Sequence, residues 1–229
     1  KSGKGTLRLA FDTRAANEGF EPPPKTTLPT SAAWAALESE HPAVVAQGDI
    51  QRAFYHVAAR HGEVLHASDH LIDCWESRRP LASDCILQPM VRTFPTGWSW
   101  SLFFCQGILR RTLVQNGFSD ECPIEDGRPS PALLSRSCAA AAGYVDNFAV
   151  AGGDAATVAE KRDMITRTLE DWGLPVHAID EASSVPMFTG LEINGHMGTA
   201  RAKPTSILRL RRAILAVLRP GAASPRMLE

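Results

Sequence analysis

The residues with chemistry to offer are acids placed where strands end. Val44-Val45-Ala46-Gln47-Gly48-Asp49-Ile50 reads as a buried strand that delivers a carboxylate at its end, followed by the aromatic pair Phe54 and Tyr55. An acid there, with an aromatic wall beside it, suits a metal ligand facing a shaped substrate; it equally suits a helix cap. Farther on, Gly143-Tyr144-Val145-Asp146-Asn147-Phe148-Ala149-Val150-Ala151 sets two polar residues inside an apolar, aromatic and β-branched run. That pattern is a β-hairpin with Asp146 and Asn147 at or beside its tip. By itself the stretch also fits a surface turn that merely tolerates Asp and Asn. What separates the two readings is whether the chain supplies Asp146 with a partner carboxylate and a substrate channel. Two other residues bear on a channel. Arg8 sits among apolar neighbours in Thr6–Phe11, where burial would be expensive, so it reads as a cleft arginine facing anions or as a snorkelling surface arginine. Gly97, in the turn Pro95-Thr96-Gly97-Trp98, would let the backbone approach a ligand closely just ahead of a helix, or simply make a strand-to-helix turn.

These residues need strands and helices to hold them. The pattern predicts strands at 6–11, 44–50, 85–92, 138–144, 174–179 and 186–193. It predicts helices from Ser31 to about Glu40, from Ser99 to about Asn116, from an Asp154 cap to about Trp172 before Gly173, and from Thr205-Ser206 to near Leu218. Residues 51–57 read as a short helix or irregular turn, and Ser119–Ser135 as a polar, proline-containing loop. Asn194-Gly195 signals a further hairpin. The class is α+β.

Composition narrows the field. The chain has 229 residues, enough for one large or two small cores, and at 44% hydrophobic and 21% charged it is neither disordered nor collagen-like. No apolar run approaches the length of a membrane span, so no membrane partner is expected. It begins with Lys and reads as a piece of something longer. Five widely spaced cysteines without a CxxC pair read as free thiols in a reducing, intracellular setting, cytoplasm or nucleus. The net charge of -1 conceals basic ends. Arg201, Lys203, Arg209, Arg211, Arg212, Arg219 and Arg226 run without an acid between them, which suits tracking a polyanion or a solvated face.

Taken in order, the motifs resemble those of a reverse transcriptase, specifically the domain of a retrotransposon-type element, across nearly the whole chain. Arg8-Leu-Ala-Phe-Asp12-Thr-Arg14-Ala-Ala-Asn17 resembles the fingers motif R-x-x-x-D-x-R-x-x-N. Asp49-Ile-Gln-Arg-Ala-Phe-Tyr55 resembles the first palm motif, and Phe94-Pro-Thr-Gly-Trp98 through Gln106 the helix-opening motif. Tyr144-Val-Asp-Asn147 stands where the family has Y-x-D-D. Gly173-Leu174 and Phe188-Thr-Gly-Leu-Glu-Ile193 resemble the last two motifs, the latter the primer-grip hairpin. Each match is short; their order carries the weight.

The resemblance implies a polymerase palm, an antiparallel sheet packed on helices, with part of the fingers and the start of a thumb. Residues 1–48 would be fingers, 49–57 the first metal motif, 58–93 a fingers/palm connection, 94–194 palm, and 195–229 the end of the primer-grip hairpin and the start of the thumb. It implies RNA-directed DNA polymerase activity with two Mg²⁺ ions, or Mn²⁺, acting on a primer paired to an RNA or DNA template and on deoxynucleoside triphosphates. Asp49, Asp146 and Asn147 would form the catalytic set, with metal held by Asp49, Asp146 and the carbonyl of Ile50. Arg8, Phe54, Thr96, Gly97 and Gln106 would bind the nucleotide, with Phe54 as a gate against a 2′-hydroxyl. Trp98, Phe188, Thr189, Gly190, Arg209 and Arg212 would contact nucleic acid. Two features depart from the family. Asn147 replaces the second Asp, and no lysine follows Gly173-Leu174, where His177, Asp180 and Glu181 stand instead. They suggest an alternative, a degenerate descendant that binds nucleic acid or a partner without turnover. Either way, Asp49 and Asp146 must be neighbours if the motif matches are more than chance.

Overall fold

The computed structural model describes residues 12–58, 93–120, 123–131 and 133–217. The expected strands at 6–11 and 85–92, and Arg8 with the first, lie outside the described residues. The rest forms an α+β arrangement of antiparallel sheets packed with helices.

Strand β1 (Val44–Ile50) sits inside a four-stranded antiparallel sheet, between β3 (Asn147–Gly152) and β4 (Val176–Ser183), with β2 (Ala139–Tyr144) at the outer edge beyond β3. The period-two alternation of a strand divides the side chains between two faces. Ala46, Ile50, Ala141, Phe148 and Val150 join one core, with Leu109, Leu113, Val158, Ile165 and Leu169. These last five come from the long helices α4 (Ser99–Gln115) and α5 (Ala155–Asp171), which therefore cover that face. Val45, Ala140, Ala142, Ala149 and Ala151 point the other way, into a second core with Trp34, Leu134, Phe188 and Ile193. Asp49 follows Val45 and Gln47 in alternation, so it belongs to the face opposite the two long helices.

Both long helices match the sequence pattern. Asp154 caps α5 by accepting from the Thr157 N–H at 2.8 Å, and Gly173 ends it with φ +79°. Three other elements differ from expectation. The helix from Ser31 is only one turn long, α2 (Ser31–Ala35), and its cap is Thr30 rather than Ser31. Trp34 anchors this turn in the second core, while the chain after it leaves to bridge Leu134 through Ser39. Strand β4 starts later than expected and runs on to Ser183, with irregular pairing to β1 on both sides of Gln47. The run at 186–193 is not one strand. Thr189 (φ +46°) and Gly190 (φ +87°) break it into β5 (Met187–Phe188) and β6 (Leu191–Asn194), which pair antiparallel. With β7 (Thr199–Ala202) they form a separate three-stranded sheet.

In the loop 119–135, Ile124 and Leu134 plug the second core. The remaining described helices are short α1 (Arg14–Glu18) and α3 (Ala53–His56), and α6 (Pro204–Val217), which is close to its expected span and has no buried residue. Cys105 and Cys138 are free thiols, and the other three cysteines lie outside the described residues.

Gly195 ties the small sheet to the large one. Its N–H donates to Ser184 O (2.7 Å), and its carbonyl accepts from the Ala43 N–H (3.2 Å), just before β1. A Cβ at Gly195 would stand 1.7 Å from Ala43 O, an overlap that only movement of the backbone can relieve. Gly195→Ala is therefore expected to destabilise the protein by about 2 kcal/mol or more, read as a lower denaturation midpoint in urea.

Candidate active site

The far end of β1 meets the β2–β3 hairpin. Asp49 is the direct cross-strand partner of Asn147, and the Ile50 N–H donates to Asp146 O at 2.7 Å. Two acids distant in sequence are thus neighbours at adjacent strand ends. The hairpin loop is Val145-Asp146, closed by the Tyr144–Asn147 pair, so Asn147 begins β3 and Asp146 alone of the two sits in the tip. Val145 takes φ +59°, in the left-handed region where a β-branched residue is strained.

Gln106 holds this turn in place. The side chain is buried on α4 under the hairpin. Its Nε2 donates to Gly143 O (2.8 Å) and its Oε1 accepts from the Val145 N–H (2.7 Å). One planar amide therefore satisfies both main-chain groups beside the strained residue, a role the pattern of α4 gives no hint of.

The electrostatics are those of an acid pair that is only partly compensated. Burial, then the negative charge of Asp146, push the Asp49 carboxyl above its ordinary range, and His177 opposes this only in part. Asp49 Oδ1 is buried and has no hydrogen-bond partner among the described residues. Its Oδ2 lies 3.7 Å from His177 Nε2, and His177 Nδ1 is 3.1 Å from the Asp49 carbonyl. Asp146 Oδ1 accepts from Asn147 Nδ2 at 2.8 Å. Behind the pair, burial and then Asp146 raise the Cys105 thiol to about 12, so it stays neutral.

An orphaned carboxylate oxygen next to a second acid is the donor chemistry that hard divalent cations take. Among the described residues no three His, Cys, Asp or Glu side chains gather into a metal-ligating group. A cation here would rest on Asp49 and Asp146 and draw its remaining ligands from main-chain oxygen, the Asn147 amide and water.

No protein-family model and no curated protein matches the chain.

The other expected residues fall into distinct places. Phe54 is half-buried against the helix-side core, directly after the β1 carboxylate. Thr96 and Gly97 are exposed in the turn that opens α4, where Gly97 takes φ +102°. Trp98 is buried, with its indole N–H unpartnered among the described residues. Phe188 is core: its ring meets Trp34 edge-on at 5.6 Å, leaving Thr189 and Gly190 as the exposed part of that motif. Arg209 and Arg212 are exposed on α6.

The sequence placed His177 only as a strand residue standing where the family has a lysine. Its position beside Asp49 depends on the β1–β4 register, which irregular pairing conceals from a periodicity argument. Asn17 had a motif but no role. Its amide reaches the turn at Gly97.

Proposed function

We propose that this chain is the catalytic palm, with adjoining finger and thumb segments, of an RNA-directed DNA polymerase from a retrotransposon-type element. The observation that carries the proposal is the adjacency of Asp49 and Asp146 at neighbouring strand ends, with one buried Asp49 carboxylate oxygen lacking a hydrogen-bond partner among the described residues.

On this reading Asp49 and Asp146 hold two Mg²⁺ or Mn²⁺ ions, with the Ile50 carbonyl and the Asn147 amide as further oxygen donors. When bound, such ions lower the pKa of the primer 3′-hydroxyl and neutralise the leaving pyrophosphate. The chain's own residues position the reactants. Phe54 lines the sugar side. The exposed Thr96-Gly97 turn faces the incoming nucleotide. Gln106 holds the acid-bearing turn, and Thr189-Gly190 lies at the primer end. The basic, exposed helix α6 follows phosphates of the template–primer duplex. The substrates are deoxynucleoside triphosphates and a primer on an RNA or DNA template, and an intracellular location, cytoplasm or nucleus, follows from them. No helix among the described residues is long and apolar enough to cross a membrane.

Primer extension on an RNA template with Mg²⁺ or Mn²⁺ tests the reading. Extension by the unmodified protein, abolished in Asp146→Ala, is the expected result. No extension in either metal by a folded, template-binding protein rejects it.

One observation favours a second reading, a descendant that binds nucleic acid without turnover. Asn147 stands where a third carboxylate would be, and its amide donates to Asp146 instead of supplying charge. Asn147→Asp distinguishes the two. In an active enzyme it is expected to tighten apparent Mg²⁺ affinity about tenfold, a change of ~1.4 kcal/mol, read as the metal concentration for half-maximal extension. In a non-catalytic descendant, salt-dependent duplex binding persists and neither form extends a primer.

A further inference from the structure

Helix α4 carries the proposed nucleotide turn at its start and Gln106 two turns along, so its position sets both. Its N-terminus has no local cap. Trp98 occupies the capping position, and its side chain makes no capping bond. A helix start leaves its first N–H groups without intrahelical partners, and these must be met from elsewhere.

The partner comes from 82 positions earlier. Asn17 Oδ1 accepts from the Ser99 N–H at 3.0 Å, and Asn17 Nδ2 donates to the Gly97 carbonyl at 3.1 Å. The two bonds leave one planar amide in opposite senses, so they fix both distance and orientation. Two further contacts fasten the same segment. Phe20 meets Trp98 edge-on at 5.6 Å, and Trp100 Nε1 donates to Glu21 O at 2.8 Å. Asn17 itself is set by α1, where its N–H donates to Thr13 O at 2.8 Å.

We infer that Asn17 is a positioning residue for nucleotide binding. It clips the α1 segment onto the Thr96-Gly97-Trp98 turn and fixes that turn in the conformation that receives the nucleotide. The inference rests on the polymerase reading. Asn17 touches no reacting atom; it acts through Gly97 and Ser99. Its loss should loosen the pocket wall while leaving the carboxylates and their turn, which Gln106 holds independently, in place.

The experiment compares Asn17→Ala and Asn17→Asp with Asn116→Ala. Asn116 closes the other end of α4, donating to Thr112 O (2.8 Å) and to Thr168 Oγ1 (3.1 Å), far along the helix from the turn. Steady-state primer extension is expected to show KM for the nucleotide raised about tenfold in Asn17→Ala, with kcat within about twofold. Asn17→Asp keeps the acceptor for Ser99 but loses the donor to Gly97, so an intermediate KM is expected. Asn116→Ala should lower the melting temperature and leave KM unchanged. Unchanged KM in Asn17→Ala, or a KM rise in Asn116→Ala matching its stability loss, overturns the inference. If the unmodified protein extends no primer, the polymerase reading fails on its own. The clip is then judged by amide hydrogen exchange, with faster exchange at Ser99 in Asn17→Ala than in the unmodified protein as the supporting result and equal rates as the refuting one.

Discussion

Asp49→Asn is expected to raise the melting temperature of the metal-free protein while lowering primer extension by about 10³-fold or more, a loss of ~4 kcal/mol in transition-state stabilisation. Both effects come from one cause. Burial and the charge of Asp146 lift the Asp49 carboxyl above its ordinary range, so the folded state holds this proton to higher pH than the unfolded chain does. The stability Asp49 contributes is complete below its unfolded pKa and is lost as pH rises through the raised folded value. At neutral pH the ionised group is therefore a net cost in the absence of metal. Asparagine keeps the shape and removes that charge. The same displacement gives the metal-free unmodified protein a stability gain on acidification through this window, which the variant should lack. Activity should move the opposite way, falling as a proton on Asp49 competes with the divalent cation. Divalent cation supplies a third readout. A ligand at a hundred times its Kd stabilises the state it binds by about 2.7 kcal/mol, so Mg²⁺ should raise the melting temperature of the unmodified protein and leave Asp49→Asn nearly unmoved. A variant that melts lower than the parent without metal would show that Asp49 is a structural acid.

The elements around this carboxylate were largely legible in the chain. The mostly apolar run 44–50 reads as a buried strand, and the hairpin at 143–151 is flanked by residues that favour strands, so both fall where expected. The helix on 155–171 carries a capping signal of its own, and the one on 99–115 apolar residues spaced by threes and fours. Legibility failed where tertiary contacts override local preference. Nothing local stops α2 after Ala35; it stops because Trp34 is drawn into the second core and the chain turns toward Leu134. Phe188 was read as a nucleic-acid contact from its motif, yet its ring is among the most deeply buried in the protein, and no strand pattern reveals which face a two-residue strand presents.

The site divides the same way. Asp49 and Asp146 could be picked out from strand ends, but their adjacency is a property of sheet order, with β1 inserted beside β3, which sequence does not encode locally. Residues that act through side-chain amides were the least legible. Asn17 and Gln106 each bind main-chain atoms far away in sequence, and neither residue type announces this. A missing cap offered one clue: a long helix opening on Trp98, which cannot cap it, needs an acceptor from elsewhere for its first N–H groups.

Gln106 carries the other large expected effect. Gln106→Leu keeps the volume but strands the Val145 N–H and the Gly143 carbonyl in a buried setting. Each unsatisfied main-chain group costs about 1–3 kcal/mol, so a loss of ~3 kcal/mol in unfolding free energy is expected, measured by urea titration. The loss of activity should be larger than this stability change explains, because Val145 holds a left-handed backbone angle that costs about 1–3 kcal/mol and persists only while its surroundings enforce it. Without the amide the turn relaxes, and Asp146, the next residue, moves away from Asp49. A fall of about 10²-fold in kcat is therefore expected, with little change in duplex binding, since the basic helix α6 is remote from the turn in the chain and exposed. Gln106→Glu should lie between, because a carboxylate still accepts from Val145 while its second oxygen opposes the Gly143 carbonyl. A double-mutant cycle isolates the strain. On a Val145→Gly background the left-handed angle is no longer unfavourable, so the turn needs less enforcement and Gln106→Leu should cost less activity than it does in the unmodified protein. Strict additivity of the two substitutions would mean that Gln106 supports the fold of the hairpin but does not aim Asp146.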